Sequence, residues 1–268
     1  MDCTASDPRN RRQVRATKHL QVARPRKQRL LAALCVCGLL SAPCAQALAA
    51  AGAEPETHRH AKPQILAPGY SALEFTPPEP GSYSLPDLGP AANGMVLDTA
   101  GRSVELQGLY GDKVVVLAFI YTRCSDVNGC PLATFVLRQL QDRVKTDPAL
   151  AQRVRLISLS FDPPFDSPQR LREYSKPFRD PDFDWHFLTT ASEAELSPIL
   201  AAYDQWVIQD IDADGRHVGS LSHLLRVYLI DRQRRIRNIY SVSFLHADTV
   251  ATDIQTLLQQ TGDTAGRR

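Results

Sequence analysis

Three features of this sequence predict an α/β fold, a mixed sheet covered by helices on both faces. Residues 114–121 form an unbroken apolar, β-branched run, as expected of a central strand buried on both sides. Along the rest of the chain, segments of period two alternate with segments of helical period. Cys124 and Cys130, followed by Pro131, stand directly after the central strand, the place where α/β sheets keep their chemistry.

The elements follow in order. Met95–Leu97 and residues 104–106 flank Thr99-Ala-Gly101 and read as a hairpin. After the central strand, Leu132, Phe135, Val136, Leu140 and Val144 make a helical stripe over residues 132–144. Residues 154–161 alternate and form a second strand. Ser167 and Pro168 supply an N-cap and a first-turn proline for a helix that runs to about Tyr174. Trp185–Leu188 is a short strand and 193–203 a helix. Residues 225–230 and Ile236–Tyr240 are strands joined by a polar turn, and 247–260 is a closing helix. A dithiol after the central strand, with an antiparallel strand pair and a helix closing the domain, is the thioredoxin-like plan, here with an N-terminal β-hairpin extension. The chain has no internal repeat. It also has no glycine-rich phosphate loop, since Gly215 and Gly219 do not follow a strand as such loops require.

The first 49 residues read as a secretory signal segment. A basic stretch with Arg9, Arg11, Arg12 and Arg15 leads into an apolar run over residues 30–42, and Ala47-Leu-Ala49 has the small-x-small pattern of a cleavage site. The apolar run is short for a bilayer span, which favours a cleaved signal over a permanent anchor. Residues 50–90 are rich in Ala, Pro and Glu and read as a linker, and 91–264 as the folded domain. Residues 50–268 hold 22 basic and 27 acidic side chains, so the basic balance of the full chain belongs to the leader. It argues neither for nucleic acid nor for a membrane surface. Cys3, Cys35, Cys37 and Cys44 all fall in the leader, which leaves Cys124 and Cys130 as the only cysteines of the exported part. In an oxidising compartment two such thiols pair unless they are reduced or metallated.

A cysteine pair alone permits a structural disulfide, a redox dithiol or two ligands of a metal. Five residues separate the sulfurs, against two in thioredoxin-type redox pairs, and Asn128-Gly129 can turn the loop back. A thiolate at the helix N-terminus is stabilised by the dipole, and Arg123 stands close in sequence. His223 lies in a loop just before a strand of the antiparallel pair. In a thioredoxin-like sheet that loop faces the dithiol, although a lone histidine is more often a core or loop residue than a ligand. Two thiolates and one imidazole suit copper: sulfur favours Cu(I), and nitrogen admits Cu(II). Asp162 and Asp166 read as structural, at a strand end and a helix start. Asp212-Ala-Asp214-Gly215 reads as a turn, because Ser222 stands where a calcium loop needs a glutamate. His58 and His60 read as a solvated tail, His217 as a turn residue, and His186 and His246 carry no motif.

Taken together, Phe119-Ile-Tyr-Thr-Arg-Cys124 with Cys130-Pro131, Ser160-Phe-Asp-Pro-Pro-Phe-Asp-Ser-Pro168, and Ser222-His223 with Val227-Tyr-Leu-Ile-Asp231 resemble the SCO/SenC family of exported copper chaperones for cytochrome c oxidase assembly. The resemblance runs from about Gly81 to Leu258. It implies a thioredoxin-like fold and copper held by Cys124, Cys130 and His223. It also implies a copper donor protein and, as client, the CuA centre of cytochrome c oxidase subunit II or another exported cuproprotein. The location implied is the periplasm, or the inner membrane facing it. The family pattern has three residues between the cysteines, where this chain has five. Three functions stay in view. The first is a copper chaperone, which is not an enzyme. The second is an exported thiol-disulfide oxidoreductase with Cys124 attacking and Cys130 resolving. The third is a binding module with a structural disulfide.

Overall fold

The computed structural model describes residues 70–265. The signal segment, the first part of the linker, and His58 and His60 lie outside them. Two short strands come first, β1 (Met95–Leu97) and β2 (Ser103–Glu105), paired antiparallel as a small separate sheet. Helix α1 (Leu106–Tyr110) follows at once and buries Leu106 and Tyr110. The strand expected to run through Leu106 therefore stops one residue earlier, and a five-residue helix is too short to announce itself by periodicity.

The main sheet begins with β3 (Val114–Ile120), in which all seven residues are buried. Successive side chains of a strand point to opposite faces, so both faces of the sheet must be covered at this strand. Helix α2 (Cys130–Val144) and the single turn α3 (Pro148–Ala151) lead to β4 (Val154–Ser160). The Asp147 carboxylate caps α3 by accepting from the N–H groups of Ala149 and Leu150. Helix α4 (Pro168–Ser175) starts as its sequence indicates, with the Ser167 hydroxyl accepting from the Arg170 N–H and proline in the first turn. Strand β5 (Trp185–Leu188) and helix α5 (Glu193–Ala202) come next. A two-stranded antiparallel hairpin follows, β6 (Val207–Ile211) and β7 (His217–His223), then β8 (Val227–Ile230), β9 (Ile236–Tyr240) and α6 (Ala247–Ala265).

The five-stranded sheet has the order β5-β4-β3-β8-β9. β3, β4 and β5 are parallel, β8 is antiparallel to β3, and β9 is antiparallel to β8. This is the mixed, helix-flanked sheet that the sequence predicts, with a small N-terminal two-stranded sheet added. Helices α2 and α6 pack against each other. A buried aromatic group joins α1, β3, β8 and the end of α5: the Tyr110 and Tyr203 hydroxyls are 2.6 Å apart, and Phe119 meets the rings of Tyr203 and Tyr228 edge-on. Residues 70–90 contain no helix or named strand, yet part of this stretch is docked. Leu85 is buried, the Tyr83 hydroxyl donates to Asp253, and Pro90 bridges to Arg235.

The β6–β7 hairpin corrects the sequence reading, which saw only its turn and placed His223 in a loop. Asp212 does form that turn, its Oδ1 accepting from the N–H groups of Asp214 and Arg216, but strands flank it and His223 is the last residue of β7. The hairpin stands apart from the main sheet and leaves Ile208, Ile211 and Val218 exposed, so it lacks the apolar alternation of a half-buried strand. No helix among the described residues is long and apolar enough to cross a membrane.

Candidate metal centre

Topology brings three distant pieces of chain to one edge of the sheet. Strands β3 and β4 are parallel with Ile120 opposite Ser160, so they end together. Strand β8 runs the other way beside β3, and so begins at the edge where β3 ends. His223, four positions before β8, is delivered there by its hairpin.

The cysteine loop is built by short-range bonds. The Cys124 N–H donates to the Tyr121 carbonyl at 3.3 Å. Asp126 then turns the chain: its carboxylate accepts from the Asn128 N–H at 3.0 Å, and its carbonyl accepts from the Gly129 N–H at 2.9 Å. Cys130 opens α2, and Pro131 sits in the first turn, where a missing N–H costs nothing. The return is tight. A Cβ on residue 129 would lie 3.2 Å from the Asp126 carbonyl oxygen and 3.3 Å from the Cys124 sulfur, so glycine lets the two thiols close on each other.

The sulfurs of Cys124 and Cys130 and a ring nitrogen of His223 all lie within 4.8 Å of one another. Both cysteines are free thiols. Cys130 Sγ is 3.6 Å from His223 Nε2 and accepts from the Tyr121 N–H at 3.3 Å. His223 Nδ1 is 3.3 Å from the Leu224 carbonyl. A carbonyl can only accept, so Nδ1 carries a proton and Nε2 is the ring nitrogen turned toward the sulfurs. The same carbonyl accepts from Gln205 Nε2 at 3.2 Å. Phe161 packs on the imidazole with ring centroids 4.5 Å apart, and Tyr121 meets it edge-on at 6.1 Å.

The two thiols are unlike. Hydrogen bonding from Cys130 is the largest influence on Cys124; with help from His223 it outweighs the opposing effect of burial and lowers the Cys124 pKa to about 4. Burial drives the Cys130 thiol well above its ordinary value, and the neighbouring Cys124 adds to this. The sequence had pointed to the helix N-terminus and Arg123 as the source of a reactive thiolate. The structure corrects both: the sulfur at the helix N-terminus is the buried, high-pKa one. Arg123 pairs instead with Asp162 through Nε at 2.8 Å and stacks over Phe165 at 4.5 Å.

The remaining candidates separate cleanly. Asp166 is fully buried and structural, accepting from the Thr122 N–H and hydroxyl and the Ser160 hydroxyl, so it braces the stretch just before Cys124. Asp162 is engaged by Arg123. His186 bonds Asp184 and His246 stacks on Tyr70, so neither joins the centre. His217 begins β7 rather than lying in a turn. The sequence reading missed Tyr121, Phe161 and Gln205 as parts of the site. The first two were legible only as strand residues, and Gln205 carried no signal at all. Beside the centre a cleft of about 670 Å³ opens between α5 and the hairpin, with Arg123, Phe161, Gln205 and Leu221 among its walls.

The donor set fits a soft metal ion. Donors held about 2.3 Å from a shared ion in trigonal array stand about 4 Å apart, which is the scale of this cluster. Thiolate and imidazole are the ligands that soft and borderline ions select.

Comparison with known proteins agrees with this chemistry. The SCO1/SenC family model matches residues 95–259. A curated relative, the SCO1 protein homolog of Bacillus subtilis, is 25% identical over 157 residues, which cover 58% of this chain and 76% of that one. Among solved structures, Arabidopsis thaliana ScoI with copper bound superposes with a TM-score of 0.54 at 21% identity, over 63% of this chain and 98% of that one. BsSco, described with a disulfide switch and as a member of the Sco family of cytochrome c oxidase assembly proteins, superposes with a TM-score of 0.51 at 23% identity, over 65% and 97% of the respective chains.

Proposed function

The chain belongs to the SCO1/SenC family, and from that premise we propose that it is an exported copper chaperone, with copper as cargo held by Cys124 Sγ, Cys130 Sγ and His223 Nε2. One observation carries this reading. The only group of metal-ligating side chains of this kind among the described residues is two thiols and an imidazole, from the β3–α2 loop, the start of α2 and the end of β7, all within 4.8 Å of one another. The copper-bound Arabidopsis relative and the assembly role attached to BsSco support the choice of metal and of process. The client is the CuA centre of cytochrome c oxidase subunit II or a related exported cuproprotein, and a separate protein donates the copper. Residues 1–49 direct export, 50–90 link, and 91–264 form the working domain in the periplasm or on the outer side of the inner membrane. Transfer needs only ligand exchange. Cys124, more exposed than Cys130 and with its thiol pKa drawn down by hydrogen bonding, can hand its bond to an incoming thiolate, while Cys130 and His223 keep hold until the client's own ligands engage.

The test is a copper titration of the reduced protein. One equivalent of Cu(I) and of Cu(II) is expected to bind. Cys124→Ser and Cys130→Ser should each abolish tight binding, and His223→Ala should lose most Cu(II) affinity while keeping weaker Cu(I) binding. Unchanged Cu(II) spectra in His223→Ala would remove that residue from the site. Intact mass of exported material checks the leader, with Ala50 the expected first residue.

The contrast between the thiols favours a second reading, dithiol exchange with Cys124 attacking and Cys130 resolving. His223 discriminates the two, because simple exchange does not require it as a metal ligand. Strong reduction of a model disulfide by a wild-type protein without measurable copper affinity would promote this second reading over the first.

A further inference from the structure

We propose that the Tyr121 hydroxyl is the clamp that positions His223 against the dithiol, an inference that rests on the copper reading above. Tyr121 is the residue just beyond β3 and is only 4% exposed. Its backbone N–H donates to Cys130 Sγ at 3.3 Å. Its hydroxyl reaches the hairpin, donating to the Leu221 carbonyl at 3.3 Å and accepting from the Leu221 N–H at 3.5 Å. Leu221 lies two residues before His223 on β7, so one side chain touches the strand that carries the imidazole while its own backbone holds a sulfur.

The need for such a clamp follows from the topology. The hairpin forms its own two-stranded sheet, and its strands make no ladder with the five-stranded sheet that carries the cysteine loop. Beyond the three-residue link from His223 to β8, the distance from His223 to Cys130 therefore depends on side-chain contacts. The Phe161 ring touches the imidazole but cannot fix a distance along the strand, because stacking is weakly directional. Gln205 fixes Leu224, beyond the histidine. The Tyr121 hydroxyl makes a paired bond to a single residue on the histidine's own strand, and this sets the register of β7 over the dithiol. Tyr121 is a positioning residue: its hydroxyl lies beside the Cys124 sulfur as well, and its hold on the histidine's strand is what the His223 background isolates.

Tyr121→Phe removes the hydroxyl and keeps the ring that fills the site. In this variant Cu(II) affinity should fall about five- to tenfold, the loss of roughly one hydrogen bond's worth of positioning. Cu(I) affinity should stay within about twofold, because the two sulfurs carry it. The decisive arm is a double-mutant cycle. In a His223→Ala background, adding Tyr121→Phe should change Cu(II) affinity no further. In the metal-free reduced protein, the His223 ring resonances should shift or broaden in the Tyr121→Phe variant, and thermal unfolding run alongside confirms that the variant folds. An equal loss of Cu(II) affinity in both backgrounds, or unmoved His223 resonances with unchanged Cu(II) affinity, overturns the clamp and leaves the copper reading intact. A wild-type protein that binds no copper overturns the copper reading, and the metal-free resonances still decide the clamp.

Discussion

Gly129 sets how closely the two thiols approach. Its missing Cβ leaves room for Cys124 Sγ at 3.3 Å, and the opposing contact is a backbone carbonyl that cannot swing away. Gly129→Ala should therefore push the sulfurs apart and lower copper affinity by about tenfold, with a stability loss of only about 1 kcal/mol. Parallel copper titration and urea unfolding check this, and unchanged affinity would show that the loop yields elsewhere. Asp184 is the second informative residue. Burial alone would raise its pKa, but hydrogen bonds from His186, Arg155 and Lys113 outweigh that and hold the carboxyl well below the usual carboxylate range. A depressed carboxylate contributes stability that is complete above its unfolded value of about 3.9 and is lost as pH falls through that value toward the folded one. Asp184→Asn should cost about 2 kcal/mol at neutral pH. The gap between variant and wild type should then begin to narrow below about pH 4, an onset that urea midpoints across pH 7 to 3 can follow. A gap that stays constant with pH would mean that packing, not charge, is what Asp184 provides.

The β6–β7 hairpin is the element that completes the centre, since it carries His223 to cysteines that the main sheet already holds. Gly219 shapes it, with a φ of +81° in the left-handed region and the Arg123 guanidinium packed close by. An added methyl would meet Arg123 Nη1 at 3.2 Å, a contact the flexible side chain can relieve, so the backbone conformation carries most of the cost. Gly219→Ala should strain the hairpin by about 1 kcal/mol. It should leave the melting temperature within a few degrees of wild type, because the buried sheet does not include this strand. Cu(II) binding should weaken while Cu(I) binding and free-thiol counts stay near wild type. Equal weakening of both copper states would place the damage in the cysteine loop instead.

At the scale of the whole molecule, the copper reading makes metal and disulfide competing states of one dithiol. A bond between Cys124 and Cys130 would consume both thiolate ligands, and copper held by those thiolates withdraws them from oxidation. Copper loading of the reduced protein should therefore slow loss of free thiols to an added oxidant several-fold, and the oxidised protein should bind no copper tightly. Thiol titration against time, with and without one equivalent of copper, reads both outcomes. Thiol loss at the same rate with and without bound copper would show that the ion rests on other residues.

Periodicity within single segments was enough to find the strands and helices that build the core. In β3, a run of buried apolar residues cannot be mistaken, and Ser167-Pro168 marks a helix start by chemistry confined to neighbouring residues. The same local grammar put Cys124 and Cys130 at the end of a strand and the start of a helix, and the motifs around them were distinctive enough to indicate the family. Short α1 and the exposed β6–β7 hairpin escaped, because neither buries enough of one face to leave a repeating signal. The difference between the two thiols could not be read from their order either. It depends on which sulfur is enclosed by α2 and the sheet and which lies in the open loop, and desolvation is a property of packing. The proximity of His223 to Cys130, 93 residues apart in sequence and 3.6 Å apart in space, likewise follows from β8 running antiparallel to β3 and from the hairpin folding back over Tyr121. Such distances come from long-range pairing, which one chain's local pattern does not encode.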